Sequence, residues 1–394
     1  MSLRVALPQT VVVLLLLCLY VWDRTVLSIA LPDLARTLLL RPWQTGAVAT
    51  GFAAGVVLSA LPAGLLAKKF GDRPILVLGA TIFSAATALV PIASGFTSLL
   101  LSRVTLGVGE GLFNISMLLF LGQLSRVHRG LLIGASASVF GIAHTVGPGL
   151  IRFIHVSAGS WQTAFRLLAF GGGVLTFLLT SLPRTQDSNI PHAAPVEHPV
   201  TVRDMLSIWP LLLLVAACGI AIYSVTGLLA VWTRGELGLS ALRADLLLSA
   251  TGLGFLLGGA PLGAVADRVG LVRYSTCAMF VTGASGALLM GIDSGPILGL
   301  VVAVVFGAAS NSAYVTAIAI AHTRGQGHSA VFVGCLATIF YAAAFASAPL
   351  LMLVRVQLGP TPAALLVYLP LSAVSAVLVA LLVPPVVRLA RGAG

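Results

Sequence analysis

The sequence predicts an all-α membrane protein with twelve transmembrane helices arranged as two six-helix bundles. Three observations carry this prediction. Of its 394 residues, 58% are hydrophobic and 8% are charged, a composition that a soluble domain with a single core does not have. The apolar residues form runs of about 20, the length of a helix that crosses a bilayer. A polar, proline-rich segment divides these runs into two equal groups.

Each apolar run lies between charged residues or clusters of proline and glycine. The runs are uniformly apolar, which excludes a closed barrel, because barrel strands alternate between apolar and polar residues. The first six predicted spans cover residues 10–31, 44–67, 74–93, 98–123, 131–153 and 163–182. The second six cover residues 206–232, 242–266, 274–292, 296–321, 329–354 and 362–383.

The dividing segment begins at Pro183 and reads PRTQDSNIPHAAPVEHPVTVRD. Its prolines, mixed charges and lack of apolar runs are typical of a linker. We therefore predict an N-terminal bundle over residues 1–183, a cytoplasmic linker over 184–204 and a C-terminal bundle over 205–394.

The net charge of +11 follows the distribution expected for a membrane protein rather than for a nucleic-acid-binding protein. Thirteen Lys and Arg residues fall in the loops and termini on the side that holds both ends of the chain, and six fall on the other side. Because short cytoplasmic loops are enriched in Lys and Arg, we expect both termini to be cytoplasmic in a multi-pass protein of the cell membrane.

A short motif recurs with an offset of 199 residues, close to half the chain. GLLAKKFGDR begins at Gly64 after the second span, and GAVADRVGLVR begins at Gly263 after the eighth. A six-plus-six internal repeat is typical of transporters whose halves rock about a central site. Both copies resemble the G-x-L-A-D-R-x-G-R-K loop motif of the major facilitator superfamily, and this similarity extends over essentially the whole chain.

The resemblance implies that the motif residues act in gating, because the superfamily's acidic residue helps to lock the cytoplasmic gate. The second copy keeps this acid as Asp267, followed by Arg268. The first copy has Lys68 in its place, with Asp72 and Arg73 further along. The two copies are therefore expected to form different contacts.

Four charged residues lie inside predicted spans. They are Asp23 and Arg24 in the first span and Arg103 and Glu110 in the fourth. Charges within a membrane are costly and mark functional sites by default. Arg103 and Glu110 are seven residues apart and share a helix face, while the adjacent Asp23 and Arg24 point about 100° apart. Arg103 is the expected partner of the Asp23–Arg24 pair.

The surrounding sequences, WDRTVLSIALPDLA and SRVTLGVGEG, resemble the first-helix and fourth-helix motifs of the anion:cation symporter family. Spinster-like lipid exporters share the D-R and G-x-G-E parts of these motifs. We predict that Glu110 and Asp23 take up protons and that Arg24 and Arg103 bind an anion. When an arginine binds the substrate, it no longer stabilises the charge of a neighbouring acid, and that acid can then be protonated. The alternative is a buried ion-pair network that only neutralises itself.

The second half lacks these charges, because Val302 and Ala309 stand at the positions offset by 199 residues from Arg103 and Glu110. Asn311 and Tyr341 are predicted to form its side of the substrate site, although both residue types also serve in helix packing. His144 in the fifth span is a candidate proton relay or a structural hydrogen-bonding residue.

Together these patterns predict a proton-coupled symporter of a small organic anion, with an exporter of a lipid, amphiphile or drug as the alternative. We expect no enzymatic activity, no metal and no cofactor besides the coupling proton, since no nucleophile, metal-ligand or P-loop pattern is present. The expected partners are the substrate and the bilayer, without nucleic acid, and the chain is expected to act as a monomer.

Overall fold

The computed structural model of the chain describes residues 3–124, 129–158, 160–182, 208–324 and 329–382, and the regular structure in these ranges is helical. The predicted linker lies outside them. The N-terminal helices are α1 (Leu3–Thr37), α2 (Pro42–Phe70), α3 (Asp72–Leu89), α4 (Phe96–Leu124), α5 (Arg129–Ala158) and α6 (Trp161–Ser181). The C-terminal helices are α7 (Trp209–Gly235), α8 (Ala241–Gly258), α9 (Ala260–Val269), α10 (Leu271–Gly291), α11 (Pro296–Arg324), α12 (Ser329–Leu358) and α13 (Pro360–Leu382).

The predicted all-α class is confirmed, and within the described residues each predicted span overlaps one or two helices. Nine helices of the described part are long and apolar enough to cross a membrane, namely α1, α3 to α8, α11 and α12. The eighth span differs from its prediction, because it breaks between α8 and α9 at Gly259. Residues 258–261 read Gly-Gly-Ala-Pro, which combines the low helix propensity of glycine with the missing N–H of Pro261. Pro62 stands at the equivalent position in α2. No Gly-Gly pair precedes it, and α2 continues through this proline.

The internal repeat is visible in the backbone of the two loop motifs. Gly71 ends α2 with φ 91°, and Gly270 ends α9 with φ 100°. Each donates its N–H to a carbonyl four residues earlier, Ala67 at 2.8 Å and Ala266 at 2.9 Å. Glycine is required at both turns, because other residues rarely adopt positive φ. The 199-residue offset read from the sequence therefore relates equivalent turns of the fold.

The helix crossings that lie behind the site are also repeated. A Cβ atom on Gly107 of α4 would lie 1.8 Å from the carbonyl oxygen of Phe52 on α2. A Cβ on Gly307 of α11 would lie 2.1 Å from the carbonyl oxygen of Thr251 on α8. Absent side chains let these backbones touch, as in other close-packed membrane helices. The crossing on the N-terminal side positions Phe52 and the charged face of α4.

The two halves meet where α1, α2 and α5 pack against α7, α12 and α8, respectively. Among the described residues, two ion pairs cross this boundary. Arg152 of α5 lies 3.1 Å from Asp245 of α8, and Arg234 of α7 lies 3.7 Å from Asp33 of α1. All four residues are at helix ends on the side predicted to face outward. This structure is therefore closed on its predicted outer side.

Candidate functional site

The four charged residues of the first and fourth spans come together in two ion pairs. The Arg103 guanidinium lies 2.5 Å from the Asp23 carboxylate, and the Arg24 guanidinium lies 2.8 Å from that of Glu110. Asp23, Arg103 and Glu110 are fully buried, whereas the Arg24 side chain is 10% exposed. The expected pairing of Arg103 with the Asp23–Arg24 segment is found, and each arginine has its own acid.

Helix geometry explains why neighbours in sequence have different partners. Asp23 and Arg24 project about 100° apart around α1. Asp23 faces the interior of the N-terminal helices, where it contacts Arg103 and accepts a hydrogen bond from the Thr87 hydroxyl at 3.2 Å. Arg24 faces the boundary with the C-terminal half, where it donates to the Tyr223 hydroxyl at 2.8 Å. One pair is thus enclosed and the other reaches the boundary between the halves.

Aromatic rings surround the Arg24 guanidinium. Its central carbon lies 3.9 Å from the ring centre of Phe52, 4.4 Å from that of Tyr20 and 5.3 Å from that of Tyr223. Arg24 also donates to the Tyr20 hydroxyl, which accepts a further bond from the Asn114 amide at 3.1 Å. Desolvated cation–π contacts attract the charge and fix the plane of the guanidinium.

Glu110 is incompletely satisfied. Its Oε2 atom accepts from Arg24, while its buried Oε1 atom has no hydrogen-bond partner among the described residues. Glu110 also lines a void of about 10 Å³ with Tyr20, Phe83 and Phe113, close to the minimum volume for one water molecule. A buried carboxylate held by one arginine has a free oxygen that can carry a proton.

A cavity of about 40 Å³ lies between the halves on the other side of Arg24, large enough for a few water molecules. Helices α1, α2, α5, α7 and α8 all contribute to its wall. The polar lining consists of Arg24, Thr25, Ser28, His144, Tyr223 and Thr226. The rings of Phe52, Phe140 and Phe255 supply much of the remainder. The cavity thus joins the only Lys or Arg among its lining residues to a wall of aromatic and aliphatic side chains.

His144 belongs to this aromatic wall. Its ring centre lies 4.5 Å from that of Phe140 and 5.3 Å from that of Phe255 on α8. Nδ1 donates to the Phe140 carbonyl oxygen at 3.2 Å, since a carbonyl can only accept. His144 therefore serves at least as a structural hydrogen-bonding residue, and the proton-relay role stays a prediction.

The predicted substrate residues occupy different places. Arg24 lines the cavity, whereas Arg103 is enclosed behind it with Asp23. Tyr341 lies next to the cavity, with its ring centre 5.9 Å from that of Tyr223. Asn311 does not line this cavity, because its amide donates to the Phe255 carbonyl oxygen at 2.8 Å and joins α11 to α8. A substrate role for Asn311 stays a prediction without a contact to support it.

The predicted gating residues lie at the opposite, predicted inner side. Arg73 donates from Nη2 to the carbonyl oxygens of Leu179 and Leu182, both at 2.5 Å, and so joins α3 to the end of α6 within one half. Asp72 is buried at the start of α3. Asp267 and Arg268 are exposed on α9, and the Lys68 side chain lies outside the described atoms. The gating roles stay predictions.

Sequence reasoning missed Tyr20, Phe52 and Ser28. Tyr20 and Ser28 are four residues before and after Arg24, so helical periodicity alone places all three on one face of α1. Phe52 had no comparable signal, because its contact with Arg24 depends on the α2–α4 crossing. Within the described residues, no group of three or more His, Cys, Asp or Glu side chains is placed to hold a metal.

Comparison with known proteins gives partial sequence matches. Probable anion transporter 6, chloroplastic, of Arabidopsis thaliana is 41% identical over 90 residues, covering 23% of this chain and 17% of that protein. The hexuronate transporter of Bacillus subtilis is 27% identical over 151 residues, covering 38% and 36%. The methylenomycin A resistance protein of the same organism is 29% identical over 145 residues, covering 36% and 31%. The matches thus span at most 36% of these relatives' length.

The fold comparison extends over nearly the whole chain. A bacterial homolog of the human lysosomal transporter Spinster, crystallised inward-facing and unoccupied, has a TM-score of 0.68, covering 97% of this chain and 96% of that one. At 16% identity this likeness shows the fold alone. The sequence model of the Major Facilitator Superfamily matches residues 13–244, more than half of the chain. The chain therefore belongs to the Major Facilitator Superfamily.

Proposed function

We propose that the chain is a secondary active transporter that carries an organic anion together with a proton by alternating access. The observation that carries this proposal is the position of Arg24, which contacts Glu110 on one side and lines the cavity on the other. One guanidinium thereby connects an anion site with a proton site. The names of two relatives, one an anion transporter and the other a hexuronate transporter, agree with this proposal.

Coupling follows from competition for Arg24. An anion that enters the cavity and binds the guanidinium draws it away from Glu110, which has no other partner among the described residues. A buried carboxylate without a counter-ion favours its protonated form. Substrate binding therefore promotes proton uptake at Glu110, and proton release favours return of Arg24 to the carboxylate.

Charge balance gives the ratio of protons to anions. Arg24 and Arg103 together neutralise Asp23 and Glu110, so the empty site has no net charge. A bound monoanion would leave one negative charge in a low-dielectric region, which is costly. One proton on Glu110 restores neutrality, so we propose one proton for each monovalent anion.

Asp23 is the second proton-coupling residue in this proposal. Its carboxylate keeps two partners, Arg103 and Thr87, that do not line the cavity. An anion at Arg24 therefore disturbs Asp23 less than it disturbs Glu110. Asp23 is expected to hold Arg103 in place, and its part in proton coupling comes second to that of Glu110.

The wider proposal follows the sequence analysis. The two halves are the bundles 1–183 and 205–394, and they move relative to each other about the cavity. The 184–204 linker and both termini lie in the cytoplasm. The protein acts as a monomer in the cell membrane and needs no cofactor besides the proton.

The second candidate is a proton-driven exporter of an amphiphile or drug. The aromatic wall of the cavity and the similarity to a methylenomycin resistance protein support it. A cationic or neutral drug would have to bind beside Arg24, which disfavours a cation. A hydrophobic anion would suit the chemistry of the cavity under either candidate. The two candidates then differ only in the direction of transport.

Proteoliposomes test the proposal. Purified protein is screened for thermal stabilisation by organic acids, and uptake of the stabilising acids is then measured with and without an inward proton gradient. We expect gradient-driven accumulation by the wild type. Glu110→Gln should abolish accumulation while exchange persists, because Gln keeps the shape but cannot carry the proton.

Glu236→Gln is the matched control, since Glu236 pairs with Arg355 near the predicted outer ends of α7 and α12 and away from the cavity. This variant should accumulate substrate normally. Unchanged coupling in Glu110→Gln would remove Glu110 from the mechanism, and accumulation only under an opposite gradient would favour the exporter.

A further inference from the structure

Resting on the proposed function, we infer that the cavity takes a small monovalent anion with a flat, aromatic body, held by Arg24 and Ser28. The proposal names the class of substrate and adds Ser28 as a binding residue. It excludes dianions and polyhydroxylated acids as the preferred substrates.

The charge of the substrate follows from the number of cations that reach it. Arg24 is the single Lys or Arg among the residues that line the described cavity. Arg103, the other arginine at this depth, is fully buried and paired with Asp23. A second carboxylate on the substrate would face rings rather than a guanidinium, and an unpaired buried charge is strongly disfavoured.

The shape of the substrate follows from the walls. Five rings, those of Phe52, Tyr223, Phe140, His144 and Phe255, line the space beside Arg24 together with aliphatic side chains, and the cavity measures only about 40 Å³. A substrate must therefore separate these rings to enter, and a flat body requires the least separation. Aromatic faces then pack against aromatic faces in offset or edge-on arrangements, which are favourable.

Three of the four hydroxyl groups among the residues that line the cavity already have a partner, and that of Tyr223 accepts from Arg24. The Thr25 hydroxyl donates to the Val21 carbonyl at 3.2 Å, and that of Thr226 donates to the Ile222 carbonyl at 2.8 Å. A sugar acid would bring several hydroxyl groups into a wall with few free partners. Buried hydroxyls without partners weaken binding.

Ser28 is the exception. Its side chain is 3% exposed and lines the cavity, and its Oγ atom has no hydrogen-bond partner among the described residues. Ser28 is one helical turn from Arg24, about 6 Å along the same face of α1. A carboxylate placed between them can accept from the guanidinium with one oxygen and from the hydroxyl with the other.

Isothermal titration calorimetry on the purified full chain compares three anions: benzoate, which is flat and monovalent, succinate, which is a dianion, and glucuronate, which is monovalent and polyhydroxylated. We expect benzoate to bind at least about tenfold more tightly than the other two. Tighter binding of succinate or glucuronate than of benzoate would overturn the inference and leave the proposed anion transport intact.

Absence of binding by all three anions would also overturn the inference. The proposed function is then decided separately, by proton-driven uptake of acids from the wider thermal-shift screen. Accumulation of another organic acid would preserve anion symport without this substrate class, and accumulation of none would remove both.

Ser28→Ala and Ser28→Cys test the second contact. Each should weaken benzoate binding about three- to tenfold, the usual effect of losing one hydrogen bond. Ser116→Ala is the matched control, because Ser116 is a buried serine of α4 whose Oγ also lacks a partner in the described part of the chain but which does not line the cavity. Unchanged benzoate affinity in both Ser28 variants would overturn the Ser28 contact, and equal weakening in Ser116→Ala would assign the effect to packing.

Discussion

Arg24 and Tyr223 are equivalent residues of the two repeats, 199 positions apart, and they touch each other across the boundary between the halves at 2.8 Å. The N-terminal repeat places a cation at this position, and the C-terminal repeat places a hydroxyl that accepts its hydrogen bond. The same guanidinium holds Glu110, so one residue links the predicted proton site to the opposite half.

Tyr223→Phe should loosen this link. The ring beside Phe52 is kept, but a hydrogen bond to a charged group, worth about 1.5–3 kcal/mol, is lost. We expect the ratio of closed to open protein on the predicted outer side to fall by about tenfold or more. Spin-label distances between the outer ends of α2 and α12 in a cysteine-free background measure this. Tyr314→Phe, which alters a ring stacked on Phe340 within the C-terminal half, should leave the distances unchanged.

Arg103→Ala should destabilise the protein rather than only weaken substrate binding. Removing Arg103 leaves the buried Asp23 carboxylate without its counter-ion, which costs about 3–5 kcal/mol. The double variant Asp23→Leu/Arg103→Leu should recover much of this loss, because no charge is then left unpaired. Melting temperatures in detergent compare the variants. A stable Arg103→Ala protein with weak anion binding would instead support the anion-binding role that the sequence predicts for Arg103.

Asp245→Asn should favour opening on the predicted outer side. Its ion pair with Arg152 crosses from α8 to α5, and the partly exposed geometry limits its value to about 1 kcal/mol or less. The effect should shrink at high salt, because exposed charges are screened. Distances between labels on α5 and α8 report the change. Asp293→Asn is the control, since Asp293 pairs with Arg243 within one half, and an equal response of both variants would argue against a gating role.

Gly107→Ala should disrupt the α2–α4 crossing. The new Cβ would lie 1.8 Å from the Phe52 carbonyl oxygen, so the backbones must separate at a cost of about 1–3 kcal/mol or more. A displaced Phe52 ring would also lose its contact with the Arg24 guanidinium. We expect a lower melting temperature and weaker anion binding. Gly173→Ala in α6 should have neither effect, because an added Cβ there meets open space.

The spans, the repeat and the meeting of four charges could be predicted from sequence because each depends on local pattern. Hydropathy marks the helices, and an offset of 199 residues aligns Gly71 with Gly270. The break at Gly259 was missed because hydropathy does not respond to the backbone preferences of a Gly-Gly-Ala-Pro sequence. Its signal was present in the propensities of those residues.

Which arginine reaches the cavity could not be predicted from sequence. The 100° separation of Asp23 and Arg24 indicates that they diverge but not in which direction. That depends on how α1 is rotated between α4 and α7, which is a property of packing over many residues. Asn311 shows the same limit, because its contact with the Phe255 carbonyl depends on the α8–α11 crossing.

The unequal distribution of charge between the repeats has an evolutionary consequence. All four residues of the two ion pairs belong to the N-terminal repeat, while the C-terminal repeat contributes Tyr223, Phe255 and other apolar wall residues. Substitutions at Phe255 can reshape the wall without touching either carboxylate of the two ion pairs. Under the proposed mechanism, selectivity can therefore diversify among descendants of such a protein while the coupling to protons stays the same.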